Sequence, residues 1–328
     1  MSIQTEFISN PAASSPDVVT HDPTAVTTAD GCPAPLGWAQ VLEAVRAQST
    51  PWSVEVHGHR FSGRTLGVGP PLYFLNGLTG TSDLFCLMVW LLRDEFRCVV
   101  FDYPTRAGAG RKSRSLTNEL LASGLFAAAD RHADQTFSMI ATSFGATVAL
   151  TALTAQPERI KCAILQAGFA HRKLSATERL LARIGRHVPG TLANLPFVKA
   201  FQRANHQRYF PPFDRTRWGF FVDNAGSTAI RDVAERARVL AAFDYRSRLN
   251  GIRQPVLLIR SEHEGLVTAA CNEALQNGLP HATTEMLHTT GPLAHLTHPH
   301  RLVKLAKAFL SDPARPAEGD AVCLHEAH

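Results

Sequence analysis

The stretch Thr136–Leu150, T-F-S-M-I-A-T-S-F-G-A-T-V-A-L, constrains the fold most, because in it a strand and a helix are joined with almost no connection. Phe137, Met139, Ile140 and Ala141 predict a short buried strand, and Ala146 to Leu153 predict a helix directly after it. The join, Ala141-Thr142-Ser143-Phe144-Gly145, is a G-x-S-x-G nucleophile elbow with Ala in the first glycine place. Such a turn holds its serine at strained backbone angles, lifts the hydroxyl above the sheet and leaves room only for small flanking residues. Ala141 is small enough, and Ser143 is the candidate nucleophile.

The surroundings repeat one theme. Leu72–Leu75, Cys98–Phe101, Cys162–Gln166 and Val256–Arg260 are short apolar runs separated by helical segments, including an amphipathic one over 117–132. Strands alternating with helices in this way form a parallel sheet covered on both faces, so the expected class is a doubly wound α/β core. Trp38, Val41, Leu42 and Val45 recur at helical spacing, and Ser53–Phe61 alternates about Gly58 as an edge hairpin. From 170 to 250 the pattern changes to several helices punctuated by Pro189-Gly190, Pro196 and Pro211-Pro212, which predicts a helical cap inserted above the carboxyl ends of the strands. The expected organisation is a disordered segment over 1–35, a core over 36–169 and 251–311, the cap between its two parts, and a flexible tail over 312–328.

Charge narrows the functions. The formal charge is +5, and residues 171–250 hold fifteen Lys and Arg against six Asp and Glu. Two readings fit: a solvated helical surface whose arginine stems cover apolar area, or attraction of an anionic substrate or surface. Aromatics are not interleaved with those arginines as a nucleic-acid platform requires, so no nucleic-acid partner is expected. No apolar run is long enough for a membrane span. The N-terminus lacks the basic start and apolar stretch of a secretion signal, so the expected compartment is the cytoplasm. The six cysteines are scattered without a C-x-x-C pair, which predicts buried thiols, and no His, Cys and carboxylate cluster has metal-ligand spacing.

Two loops matter for chemistry. Asn76-Gly77-Leu78-Thr79-Gly80 follows the first central strand, where backbone amides can aim at the space above Ser143. A tetrahedral intermediate needs two preset donors, and the amides of Leu78 and Phe144 are the expected pair, with Gly77 letting the backbone come close. Asn76, Gly77 and Trp218 of the cap are expected at the substrate. Asp83 predicts a helix N-cap and Asp102 a residue that fixes the turn before Pro104.

Taken together, the residues from about Trp52 to Ser311 resemble the α/β-hydrolase superfamily. Gly80-Thr81-Ser82-Asp83-Leu84-Phe85, Tyr103-Pro104 and the elbow resemble maspardin-like proteins within it. The resemblance implies an α/β-hydrolase fold, no cofactor, a small acyl substrate, and a triad in the order nucleophile, acid, histidine. It places the acid at Glu264, in Ser261-Glu262-His263-Glu264-Gly265-Leu266-Val267. It places the histidine after Gly291, where this chain has Pro292. A base relocated to His295, or to His288 at the end of the last strand, would restore a serine hydrolase. The cap aromatics beside arginines would then favour a substrate with an apolar part and an anionic group. Without such a base the chain would be a pseudo-hydrolase holding a ligand or protein partner.

Overall fold

The computed structural model describes residues 36–108, 110, 114–212, 214–262 and 267–313. The expected disordered segment over 1–35 and almost all of the expected tail lie outside them. Eight strands form one sheet: β1 (Thr50–Val56), β2 (His59–Leu66), β3 (Pro71–Leu75), β4 (Arg97–Asp102), β5 (Phe137–Thr142), β6 (Ile160–Gln166), β7 (Val256–Ser261) and β8 (Ala282–Leu287). Their order is β1-β2-β4-β3-β5-β6-β7-β8. The β1–β2 and β2–β4 pairs are antiparallel and the remaining pairs parallel. This is the mostly parallel, doubly wound sheet that the alternating runs predict.

Period-two alternation sorts each central strand between two cores. Tyr73, Leu75, Met139, Ala141 and Leu165 face one side, with α3 (Asn118–Arg131) and α4 (Phe144–Ala155). Leu72, Phe74, Ile140 and Ile164 face the other, with α1 (Trp38–Gln48) and α2 (Cys86–Leu92). Thr117 caps α3 by accepting from the Leu120 amide at 3.2 Å, which satisfies one of the orphan donors at that end. Asp83 does not cap its turn: its carboxylate pairs instead with Arg46 of α1 at 2.7 Å.

Between β6 and β7 lie α5 (Ala176–Gly185), α6 (Val198–His206), α7 (Arg215–Gly226) and α8 (Ile230–Ala241). The chain leaves and rejoins the sheet through one neck, where His171 and Asp244 form an antiparallel bridge and the Tyr245 amide donates to the Ala170 carbonyl at 2.9 Å. Phe221 and Ala225 of α7 join one core and Val239 and Leu240 of α8 the other, so the insertion is anchored on both sides of the sheet. After β7 come α9 (Ala269–Gly278), β8, the short α10 (Ala294–Thr297) and α11 (Pro299–Ser311). Among the described residues no helix is long and apolar enough to cross a membrane.

Candidate active site

Ser143 joins β5 to α4 with φ +49° and ψ −112°, a left-handed setting that costs a non-glycine residue about 1–3 kcal/mol. The surroundings hold it there. Its amide donates to the Gln166 carbonyl at 3.0 Å, and its own carbonyl accepts from Ala146 at 2.9 Å. Gly145 sits where a Cβ would lie 2.4 Å from the Leu75 carbonyl oxygen and 2.8 Å from that of Asn76. Only glycine lets α4 start this close to β3. Gly77 differs: a Cβ there would meet only the Ser143 Cβ, at 3.9 Å, so the tightness expected at Gly77 is found at Gly145.

Ser143 borders a cavity of about 210 Å³ at the carboxyl ends of the strands, together with Leu78, His206, Phe221, Pro292 and His295. Asn76 and Gly77 border it as well, but the Asn76 side chain is spent on its own loop. Its Oδ1 accepts from the Gly77 amide at 2.8 Å and its Nδ2 donates to the Thr81 carbonyl at 2.9 Å. The insertion holds the same loop from outside. Thr228 Oγ1 accepts from Gly80 N at 2.8 Å, Asn224 Oδ1 accepts from Thr81 N at 2.9 Å, and Arg236 donates to the Leu78 carbonyl at 3.0 Å. Arg236 is 4% exposed, lies over the Tyr103 ring and is pushed down from the usual guanidinium range by burial. Asp102 accepts from the Ser82 amide and hydroxyl at 2.7 and 2.9 Å. Nearby, Asp232 of α8 accepts from the Arg106 amide at 2.8 Å.

The histidines divide sharply. His295, on α10, is buried in the cavity wall with its ring 5.1 Å from that of Phe85. Its Nδ1 lies 3.2 Å from Gln166 Oε1, and its Nε2 has no hydrogen-bond partner among the described residues. Burial pushes its pKa down to about 4, so the ring is neutral at ordinary pH and Nε2 can accept a proton. His288 is out of place as a base: it stands in solvent at the end of β8, its Nδ1 3.0 Å from Glu262. Glu264 lies outside the described residues.

Two further expectations change. Trp218 does not border the cavity; it packs on Phe210 at 5.2 Å and lines a separate groove with Pro211 and Pro212. Phe221, one helical turn later on α7, takes the inward position. Among the described residues no arginine lines the cavity either. Arginines of the basic segment pair instead with its own carboxylates, as in Arg172–Glu178, Arg217–Asp214, Arg238–Glu235 and Arg246–Asp244. The described part of the cavity wall is thus uncharged, and the anionic group expected on the ligand has no partner among the described residues. Sequence reasoning also missed His206 of α6, whose pKa burial pushes down to about 4. Nothing but its place in a basic helix marked it.

Depressed imidazoles make stability depend on pH. The unfolded chain takes up a proton at each of these rings near the ordinary pKa of about 6.5, whereas the folded protein refuses it until about pH 4. Stability is therefore full above about pH 6.5 and is lost as pH falls toward 4, by about 3 kcal/mol for His295 alone. Urea midpoints measured across this range should fall with acid, and His295→Gln, which cannot titrate, should flatten the slope.

Comparison with known proteins agrees with this architecture. The sequence profile of the α/β-hydrolase fold family matches residues 70–299. RutD of Cronobacter turicensis, a carbamate hydrolase by name, is 25% identical over 252 residues, covering 74% of this chain and 91% of its own. RutD of Pseudomonas syringae is 24% identical over 263 residues, covering 77% and 98%. Among solved structures, the enol-lactonase of Burkholderia xenovorans superposes with a TM-score of 0.68 at 19% identity, over 80% of this chain and all of that one (100%). An esterase of Thermogutta terrifontis does so with a TM-score of 0.65 at 16% identity, over 80% and 100%. These relatives are not maspardins, so that narrower likeness rests on the Gly80–Phe85 stretch and its neighbours alone. A profile match across most of the length, joined to this strand order and elbow, shows that the chain belongs to the α/β-hydrolase fold family.

Proposed function

We propose that this protein is a cofactor-free serine hydrolase of small, uncharged acyl compounds: esters, thioesters and, by likeness to the RutD proteins, carbamates. One observation carries the reading. Ser143 at a strained elbow and a buried His295 with an unpartnered Nε2 border the same cavity. In the reaction, Ser143 Oγ forms a bond to the acyl carbon while Nε2 of His295 takes the hydroxyl proton. The carbonyl electron pair moves onto oxygen, where the Leu78 and Phe144 amides donate to it; the Phe144 amide, first in α4, has no carbonyl one turn back to bond. Collapse of the intermediate breaks the bond to the leaving group, which receives the proton from His295. Water then repeats the sequence and frees Ser143. Helices α5 to α8 act as a cap over residues 170–250, and the cavity volume suits a substrate of few heavy atoms.

A fluorophosphonate probe should label the purified protein at Ser143 and leave Ser143→Ala unlabelled. Small p-nitrophenyl esters and carbamates should be turned over only by the protein that carries the serine. A second reading is favoured by Pro292 in the usual histidine place and by the unmade contact at Nε2: a pseudo-hydrolase that binds a ligand or protein. Serine-dependent turnover at an ordinary enzymatic rate excludes it, and absence of both labelling and turnover establishes it over the hydrolase.

A further inference from the structure

The partner of His295 is a residue the triad pattern does not contain. Gln166 ends β6, is fully buried, and faces the imidazole with a carboxamide instead of a carboxylate. Its Nε2 donates to the Pro292 carbonyl at 3.1 Å. A carbonyl can only accept, so this bond decides which end of the amide points where. Were the amide reversed, two oxygens would face each other across the Pro292 contact. With Nε2 committed, Oε1 faces Nδ1 of His295, and because Oε1 also only accepts, Nδ1 must carry the hydrogen. A neutral ring with its proton on Nδ1 has its lone pair on Nε2. The residue that displaces the usual histidine thus supplies the carbonyl that orients the relocated one. Gln166 also accepts the Ser143 amide on its own backbone carbonyl at 3.0 Å, so a single residue holds both halves of the reacting pair.

We propose that Gln166 stands in for the triad carboxylate: a positioning residue, oriented by Pro292, that fixes His295 in the tautomer able to deprotonate Ser143. This rests on the hydrolase reading above. An amide is ordinarily a poor substitute in this position, costing a serine protease about 10⁴ in turnover, because its NH₂ imposes the wrong tautomer. Here the Pro292 carbonyl takes that NH₂ and removes the objection. The consequence is a base with no negative neighbour among the described residues to raise its pKa. Among the described residues, the other titratable groups on the cavity wall are Ser143 and His206. Phe85 covers the ring, and the guanidinium of Arg217 is engaged with the Leu296 carbonyl at 3.3 Å. His263 and Glu264 lie outside the described residues. The site should therefore keep its base form, and its rate, well into acid.

The test uses the full chain with Gln166→Glu and Gln166→Met, read by ¹⁵N shifts of labelled histidine and by the pH dependence of kcat/KM. In the unsubstituted protein the His295 ring should be a single Nδ1–H tautomer, with the acid limb of the rate near pH 4. Glutamate should move that limb up by at least about one pH unit, since a carboxylate beside Nδ1 favours the imidazolium. Methionine, which offers no amide oxygen, should mix the tautomers and lower kcat about a hundredfold or more, with KM within about threefold. An unmoved limb in Gln166→Glu, or an Nε2–H ring in the unsubstituted protein, overturns the role of Gln166. The spectroscopic result does not depend on turnover: a protein with the Nδ1–H ring and no serine-dependent activity refutes the hydrolase reading while leaving the tautomer assignment standing.

Discussion

Replacing His295 by alanine is expected to lower turnover about a millionfold, the cost of removing the base from a serine triad. An ordinary rate of about ten per second would become about one event per day. What survives is the roughly thousandfold or greater help of the proposed oxyanion donors and of substrate binding, which the substitution leaves in place. The effect should fall on kcat, because in the proposed mechanism the imidazole acts on the serine proton and not on the bound acyl group. His288→Ala should do nothing measurable, since that ring stands in solvent against Glu262. Comparison of the two variants by single-turnover acylation of an activated ester separates the candidates. A His295→Ala protein within tenfold of the parent would remove His295 from the mechanism.

Alanine at Gly145 is expected to cost the fold as well as the site. The added Cβ would stand 2.4 Å from the Leu75 carbonyl oxygen and 2.8 Å from that of Asn76. Both are backbone atoms at the end of β3, which is locked between β4 and β5. Neither can retreat without breaking the ladder, so α4 must shift and carry Ser143 away from the loop that follows β3. Overpacking of this kind costs about 1–3 kcal/mol where side chains can yield, and more where only backbone is available. The melting temperature should drop by about 6 °C or more, at the 2–4 °C per kcal/mol typical of chains this size or somewhat smaller. Gly77→Ala is the control, because its Cβ meets open space and the Ser143 Cβ at 3.9 Å; its melting temperature should stay within about 2 °C. Equal melting of Gly145→Ala and the parent would show that α4 has slack the structure does not suggest.

The parts of the molecule legible in the sequence were those in which chemistry and local geometry coincide. The elbow is one: small residues about Ser143 report a strained turn, and strand and helix lie directly on either side. Apolar runs at Leu72–Leu75 and Cys98–Phe101 likewise reported buried parallel strands, because such strands are covered on both faces and show no polar alternation. The partner of the proposed base was hidden for the opposite reason. Gln166 reads as the last residue of a strand, and its meaning depends on a carbonyl 126 positions away. Trp218 was placed at the ligand because bulky aromatics in a cap suggest a pocket wall; one turn of α7 decides that Phe221 faces inward instead. Arginine-rich composition suggested an anionic ligand, yet composition does not distinguish a free guanidinium from one held by Glu178 or Asp214.

The contacts that Thr228, Asn224, Arg236 and Asp232 make to the loops after β3 and β4 bear on how this protein could be re-engineered. A helical segment bound in this way is not an exchangeable part, because a graft from another hydrolase would strip Leu78, Gly80 and Thr81 of their supports and blunt the proposed oxyanion donors along with the old specificity. Libraries meant to widen the range of acyl groups should therefore diversify α6, which meets the cavity through Phe201, Gln202, Asn205 and His206 and supplies none of those supports.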